Sequence, residues 1–172
     1  MSVTIRDAFP DDARAIAEVH VRSWQAAYRG ELPDDYLDGL SIDERERMWA
    51  GLLAAPEPRA AIFVATDDDG HVVGFTGVGP SRDDDAHDDT GEVRTIYLRP
   101  EWFDKGVGRD LFARANDSLS ALGFSRATLW VLATNERSRR FYEEAGWVFD
   151  GTESAHQNQC LNMPIVRYAA DL

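Results

Sequence analysis

Glu92-Val-Arg-Thr-Ile-Tyr-Leu-Arg-Pro100-Glu-Trp-Phe-Asp-Lys-Gly106-Val-Gly108-Arg-Asp-Leu-Phe112 reads as a strand that passes through a short turn into a helix opening on Gly-x-Gly. The first amides of a helix have no helical acceptor, and the macrodipole adds partial positive charge at the same end. A pyrophosphate suits such a site. Asp104, Lys105, Gly106, Val107, Gly108 and Arg109 are therefore candidate phosphate-binding residues, with the two glycines permitting close backbone approach.

A Gly-x-Gly turn alone specifies little. Further on, the apolar strand Ala127-Thr-Leu-Trp-Val-Leu132 leads into a second pattern, Asn135-Glu-Arg-Ser-Arg-Arg-Phe141-Tyr142-Glu-Glu-Ala-Gly146-Trp147. Together the two stretches resemble the GNAT superfamily of acetyl-CoA-dependent N-acetyltransferases. The resemblance covers nearly the whole chain, since Thr4-Ile-Arg-Asp-Ala-Phe-Pro-Asp-Asp12 and the helix after it look like that family's first strand and first helix.

The resemblance implies acetyl-CoA as cosubstrate and a fold in which strands four and five splay apart. It places the Ile96 N–H against the acetyl carbonyl oxygen, with Tyr97 and Leu98 beside it and Leu98 bonding the pantetheine arm like an added strand. Asn135 corresponds to a residue whose amide contacts the pantetheine, and it doubles as a helix N-cap. Tyr142 corresponds to the tyrosine near the CoA sulfur. A phenol with a pKa near 10 is protonated at neutral pH and can donate to a thiolate. Glu92 stands where some members carry a general base, although about 13 Å of strand from Ile96 would demand a water relay. One departure is plain: the family usually has Arg or Gln three residues before the first glycine, and here Phe103 stands there.

Composition excludes other classes. The 172 residues, 44% hydrophobic, suffice for one core, and one domain over residues 1–172 is expected. No apolar run approaches the roughly 20 residues that span a bilayer, and the acidic N-terminus lacks a signal-peptide core, so a cytoplasmic protein without membrane contact is expected. A net charge of −13 argues against nucleic acid as partner. Lys105 is the only lysine, while aspartates crowd residues 67–69, 83–85 and 88–89. If the latter two groups border the acceptor mouth, their field favours a cationic amine. His20, His71, His87 and His156 have no metal-ligand spacing, and no metal is expected. Cys160, the only cysteine, can form no intrachain disulfide and reads as a small core residue of an apolar strand.

Along the chain the periodicity predicts a strand at 3–8, a helix capped by Asp11 or Asp12 and ending near Gly30, and a second helix from the capping box Ser41-Ile-Asp-Glu44 to Pro56. Strands at 60–66 and 71–79 flank Asp67-Asp-Asp-Gly70, a hairpin signal. The acidic stretch 79–91 reads as a mobile connection before strand four at 92–98. A helix closed by Gly123, strand five, a helix at 135–145, and strands at 147–149 and 161–168 follow. The implied fold is α/β: a mixed, mostly antiparallel sheet of about seven strands with about four helices. His20, Trp24 and Tyr28, four residues apart on the first helix, either border an acceptor pocket or pack on the sheet.

The leading expectation is an N-acetyltransferase acting on a primary amine by direct attack, with a homodimer left open. Its rival is an acyl-CoA-binding or regulatory module without catalysis, for which Phe103 is the sole support. A dinucleotide-binding fold fails for want of Gly-x-Gly-x-x-Gly after the first strand.

Overall fold

The computed structural model describes residues 2–158 and 161–172, with side chains at all of these except 156–158 and 161. The proposed core role of Cys160 lies outside them. Among the described residues the strands are β1 (Thr4–Asp7), β2 (Ala61–Thr66), β3 (Val72–Pro80), β4 (Thr90–Leu98), β5 (Arg126–Leu132), β6 (Val148–Asn158) and β7 (Leu161–Asp171). The α-helices are α1 (Ala13–Ala27), α2 (Asp34–Asp38), α3 (Ile42–Ala54), α4 (Val107–Ala121) and α5 (Glu136–Glu144). The strands form one sheet in the order β1-β2-β3-β4-β5-β7-β6. Among the described residues its only parallel pair of strands is β4 with β5.

Each face is covered. Phe112, Ala115 and Leu119 of α4 pack with Val93, Ala127, Leu129 and Tyr168 on one side. On the other, Ile16, Ala17 and Val19 of α1 and Trp49 of α3 pack with Val64 and Phe75. Burying a side chain such as Ile16, at 0% exposure, contributes about 1.5–3 kcal/mol. The local signals hold at several ends: Ser41 Oγ accepts the Glu44 N–H at 3.2 Å, Asp67 and His71 close the β2–β3 hairpin, and Gly123 follows α4 at φ +88°.

The helix count comes close to expectation: among the described residues there are five α-helices, and the one that periodicity does not reveal is α2, of only five residues. Other expectations need correction. Strand β6 runs to Asn158 because it pairs along β7, although its own sequence reads as a strand only near Phe149. Asp12 does not cap α1 with its side chain. Its carboxylate turns back to accept from the Phe9 N–H at 2.7 Å and from Arg6 at 2.7 and 2.9 Å.

The acidic connection before β4 is pinned rather than free. Arg167 of β7, only 9% exposed, donates to Asp83 at 3.0 Å, to both oxygens of Asp85 at 2.7 and 2.8 Å, and to Asp150 at 2.6 Å. Trp130 adds an indole N–H to Asp83 at 2.9 Å, and Ser125 donates to Asp89 at 2.5 Å. Composition marked this segment as polar; it could not reveal a buried cation from a distant strand.

Arg167→Gln should therefore leave carboxylates crowded without their cation and destabilise the fold by about 3 kcal/mol in urea unfolding at pH 7. Asp85 is held below the usual carboxylate range by its Arg167 bond. Burial pushes Asp150 up, but bonds from Thr152 and Arg167 outweigh it and the net shift is downward. Such depressed groups contribute stability above their unfolded pKa of 3.8 and lose it as pH falls through the folded value. The deficit of Arg167→Gln should accordingly shrink below about pH 4 as the carboxylates protonate. A pH-independent deficit would exclude this electrostatic account.

Candidate active site

The β4–β5 ladder is short. Thr90, Gly91 and Glu92 face Arg126, Ala127 and Thr128, and beyond Glu92 no residue of β4 pairs with β5. On its other side β4 continues along β3 as far as Leu98, and the Arg99 N–H reaches the Val73 carbonyl at 2.9 Å. In an antiparallel ladder, alternate residues direct both backbone groups to the same neighbour. With Arg99 and Tyr97 turned to β3, the backbone groups of Ile96 and Leu98 point into the gap left by β5. Any part played by Tyr97 thus falls to its side chain.

A feature the sequence did not announce sits between Glu92 and Ile96. The β3–β4 register shifts between Gly77, opposite Thr95, and Val78, opposite Val93, leaving Arg94 as the extra residue of a bulge. Its guanidinium is held by Glu57 at 2.7 and 3.2 Å and by the Pro80 carbonyl at 2.7 Å. The bulge inverts the alternation. Ile96 packs towards α4, whereas Glu92, Thr95 and Tyr97 share the face covered by α1 and α3.

At the far end of β4, a single 3₁₀ turn, Pro100–Trp102, leads to the turn before α4. Gly106 is the N-cap at φ +84°, has no side-chain cap, and accepts the first helical bond from Asp110. The amides of Val107, Gly108 and Arg109 therefore leave the helix end without α-helical acceptors. Gly106 is required by its left-handed backbone, since an added Cβ would meet nothing within 4 Å. Gly108 answers a different need: a Cβ there would lie 3.3 Å from Leu98 Cδ1, so it sets how closely α4 approaches β4. Asp104 also has positive φ, +60°. Lys105 lies over the Trp102 ring.

Helix α5 delivers the second motif. Asn135 is its N-cap, with Oδ1 accepting the Ser138 N–H at 3.1 Å. Tyr142 is 7% exposed among Phe112, Phe141 and Tyr168. Burial, reinforced by the neighbouring Tyr97 and Tyr28, pushes its phenol pKa up, so it stays protonated at every physiological pH. Phe141 packs on Phe112 and faces Gly108, a packing role.

The stripe on α1 both packs on the sheet and lines this region. His20 stacks on Tyr97 at 5.1 Å and 14°, and its Nδ1 accepts the Trp49 indole N–H at 3.2 Å. Burial, with the Arg45 charge adding, lowers its pKa to about 4. With Nδ1 accepting from Trp49, the neutral ring's proton falls on Nε2 and its basic lone pair is already engaged. Tyr28 meets Trp24 edge-on at 5.0 Å.

Glu92 is half-buried and accepts the Arg82 N–H at 3.1 Å. Burial raises its pKa, Asp83 adds to the rise, and the Arg82 bond with the Arg94 charge opposes it. Opposite Glu92 on β5 stands Thr128, whose buried Oγ1 has no partner among the described residues, and the Thr95 Oγ1 is in the same condition. Neither threonine, nor Trp130 beside them, carried a sequence signal, because strand propensity accounts for all three. The expected acidic rim is changed by the Arg167 network, which holds Asp83 and Asp85, and by Ser125 on Asp89. A grouping missed by histidine spacing is Asp67, Asp69 and His71, whose ligand atoms lie within 4.8 Å of one another; Asp67 Oδ1 already accepts two backbone N–H groups of that turn.

The acetyltransferase (GNAT) family model matches residues 15–147. An N-acetyltransferase of Bacillus subtilis, YuaI, itself uncharacterised, is 38% identical over 133 residues, covering 77% of this chain and 73% of the relative. A spermidine N(1)-acetyltransferase of Thermoplasma acidophilum is 22% identical over 90% of this chain and 94% of its own. Among solved structures, yncA of Salmonella typhimurium with its cofactor acetyl-CoA superposes with a TM-score of 0.73 at 20% identity, over 100% of this chain and 95% of that one.

The two glycines of the turn should respond differently to substitution. Gly106→Val should cost about 1–2 kcal/mol through the left-handed backbone alone, without a packing defect. Gly108→Val should cost stability through displacement of Leu98. Denaturant unfolding measures both. Repacking confined to the Gly108 variant, seen as shifted methyl resonances of Leu98, separates backbone strain from crowding.

Proposed function

The chain belongs to the acetyltransferase (GNAT) family, and we propose that it transfers the acetyl group of acetyl-CoA to a primary amine by direct attack. The observation that carries this reading is the unpaired edge of β4 at Ile96 and Leu98, which runs toward an uncapped helix N-terminus. Backbone groups facing a gap inside a sheet need partners. An extended pantetheine arm offers them, and the amides from Val107 to Arg109 suit its pyrophosphate.

Acetyl-CoA supplies an acetyl group already activated as a thioester. The Ile96 N–H polarises the carbonyl oxygen and stabilises the negative charge that develops there on attack, while Leu98 holds the arm in register. Asn135 borders the same arm. Tyr142 keeps a proton for the departing sulfur, and burial guarantees that it has one. Glu92 acts on the amine through water: burial makes its carboxylate a stronger base than an exposed one. The acceptor occupies the face shared by Glu92, Thr95, Tyr97, Thr128 and Trp130, where unpaired hydroxyls meet aromatic rings. The rival, a non-catalytic module, keeps Phe103 as its sole support and is not favoured by the acetyltransferase relatives.

The reading is tested by mixing the chain with acetyl-CoA and a panel of primary amines and following free thiol. Amine-dependent release is expected, and binding without turnover across a broad panel would replace this reading with the rival. With a working acceptor, Tyr142→Phe should lower kcat by about 10²–10⁴-fold at little change in acetyl-CoA affinity, since the proton matters in the transition state. A kcat within twofold, with chemistry rate-limiting, would remove the role.

For Glu92 the pH profile is decisive. Its carboxyl must be ionised to accept a proton, so kcat/KM should fall as pH drops through its pKa, which is raised above the ordinary 4.5. Glu92→Gln should lower kcat and abolish this limb, leaving only the limb set by the acceptor's own amine. Persistence of both limbs in the variant would reassign Glu92 to structure.

A further inference from the structure

We propose that Arg137 supplies the cationic contact to a CoA phosphate that Phe103 does not make. This rests on the acetyl-CoA reading above and concerns a residue outside both glycines and the catalytic pair. Arg137 sits in the first turn of α5, two residues after the N-cap Asn135. Its guanidinium carbon lies 4.4 Å from the centroid of the Phe103 ring, and its Nη2 donates to Asp104 Oδ1 at 3.0 Å. Phe103 thus acts as a platform that carries a cation from another helix to the turn where the family's usual Arg or Gln would stand.

Local stability does not account for this arrangement. A cation in the first turn of a helix faces the positive end of the macrodipole. The partnership with Asp104 is between side chains 57% and 87% exposed, so solvent screens it and it contributes little. Asp104 also holds a left-handed backbone, which a non-glycine residue adopts at some cost. What the geometry does provide is orientation. A guanidinium held over an aromatic ring is restricted in where it can reach, and the one bond to Asp104 leaves most of its five donors for a bidentate anion.

The surroundings fit a phosphate. Lys105, the only lysine in a chain of net charge −13, and Arg109 flank the same turn, beside the uncapped amides of α4. A phosphate carries more charge than the Asp104 carboxylate and can displace it from Arg137. The contact falls on either the pyrophosphate or the 3′-phosphate, which share this chemistry.

Calorimetry on the full chain with CoA and with 3′-dephospho-CoA tests the proposal. Arg137→Gln should weaken CoA binding about ten- to a hundredfold, the range for a hydrogen-bonded charge pair, with the melting temperature unchanged and KM for acetyl-CoA rising while kcat at saturation holds. A loss seen with both ligands assigns Arg137 to the pyrophosphate; a loss confined to CoA assigns it to the 3′-phosphate. Asp104→Asn should tighten CoA binding, because it removes a competitor for the guanidinium. Wild-type affinity in a folded Arg137→Gln, or a loss in Asp104→Asn as large as that of Arg137→Gln, overturns the proposal. If wild type binds neither ligand, the acetyl-CoA reading itself falls, and Arg137's role with it.

Discussion

The β4 backbone groups of Ile96 and Leu98 find no partner in the sheet that contains them, and the rest of the molecule is arranged around that deficit. Full ladders anchor β4 to β3 and β5 to β7, while only three residue pairs hold β4 to β5. Closing the gap would require one of the long ladders to give way. Each buried backbone group left without a partner costs about 1–3 kcal/mol, so the β4 edge beyond Glu92 favours a ligand that pairs with it in strand fashion. A cosubstrate whose arm presents amides at strand-like intervals meets that requirement better than a side chain could.

The bulge at Arg94 gives the gap its sidedness. Without it, Glu92 and Ile96 would share a face, because four residues along a regular strand restore the same side. With it, the carboxylate looks toward α1 and α3, while Ile96 keeps its side chain in the α4 core and its backbone in the gap. The proposed base and the proposed polarising amide thus address the same opening from different directions. Glu57, on the loop after α3, and the Pro80 carbonyl fix the bulge through the Arg94 guanidinium, so the sidedness is set by contacts outside the strand.

Local chemistry made much of this legible. Gly106 had to be a turn residue, Ser41 and Glu44 had to begin a helix, and the run from Ala127 to Leu132 had to be a buried strand; each signal lies within a few neighbouring residues. What stayed hidden depends on distant partners. Nothing near Arg94 reveals that β3 will oppose it one residue out of step. Nothing in Asp83-Asp-Asp85 reveals that Arg167, on the last strand, will gather two of these carboxylates with Asp150. The five residues of α2 form a helix by packing Leu37 into a cluster with Tyr28, Leu32 and Leu132, which no short-range pattern shows. Tyr142 is proposed on its motif, whereas Thr95 and Thr128 become visible only when register puts them near Glu92.

Charge is segregated in the same manner. The chain's excess of carboxylates would repel a polyanionic cosubstrate if its field were uniform, yet screening limits that field to about 8 Å at physiological ionic strength. The turn before α4 nevertheless gathers Lys105, Arg109, Arg137 and a helix end about the Asp104 carboxylate. Asp83, Asp85 and Asp150, by contrast, surround Arg167 on the opposite side of the sheet from α4. Their charge is engaged by Arg167, which fastens the β3–β4 connection to β7 beside Trp130. The position of Glu92 depends on that connection, since its partner Arg82 lies at the connection's start. Acidic residues that composition assigns to the surface therefore help to hold the proposed base.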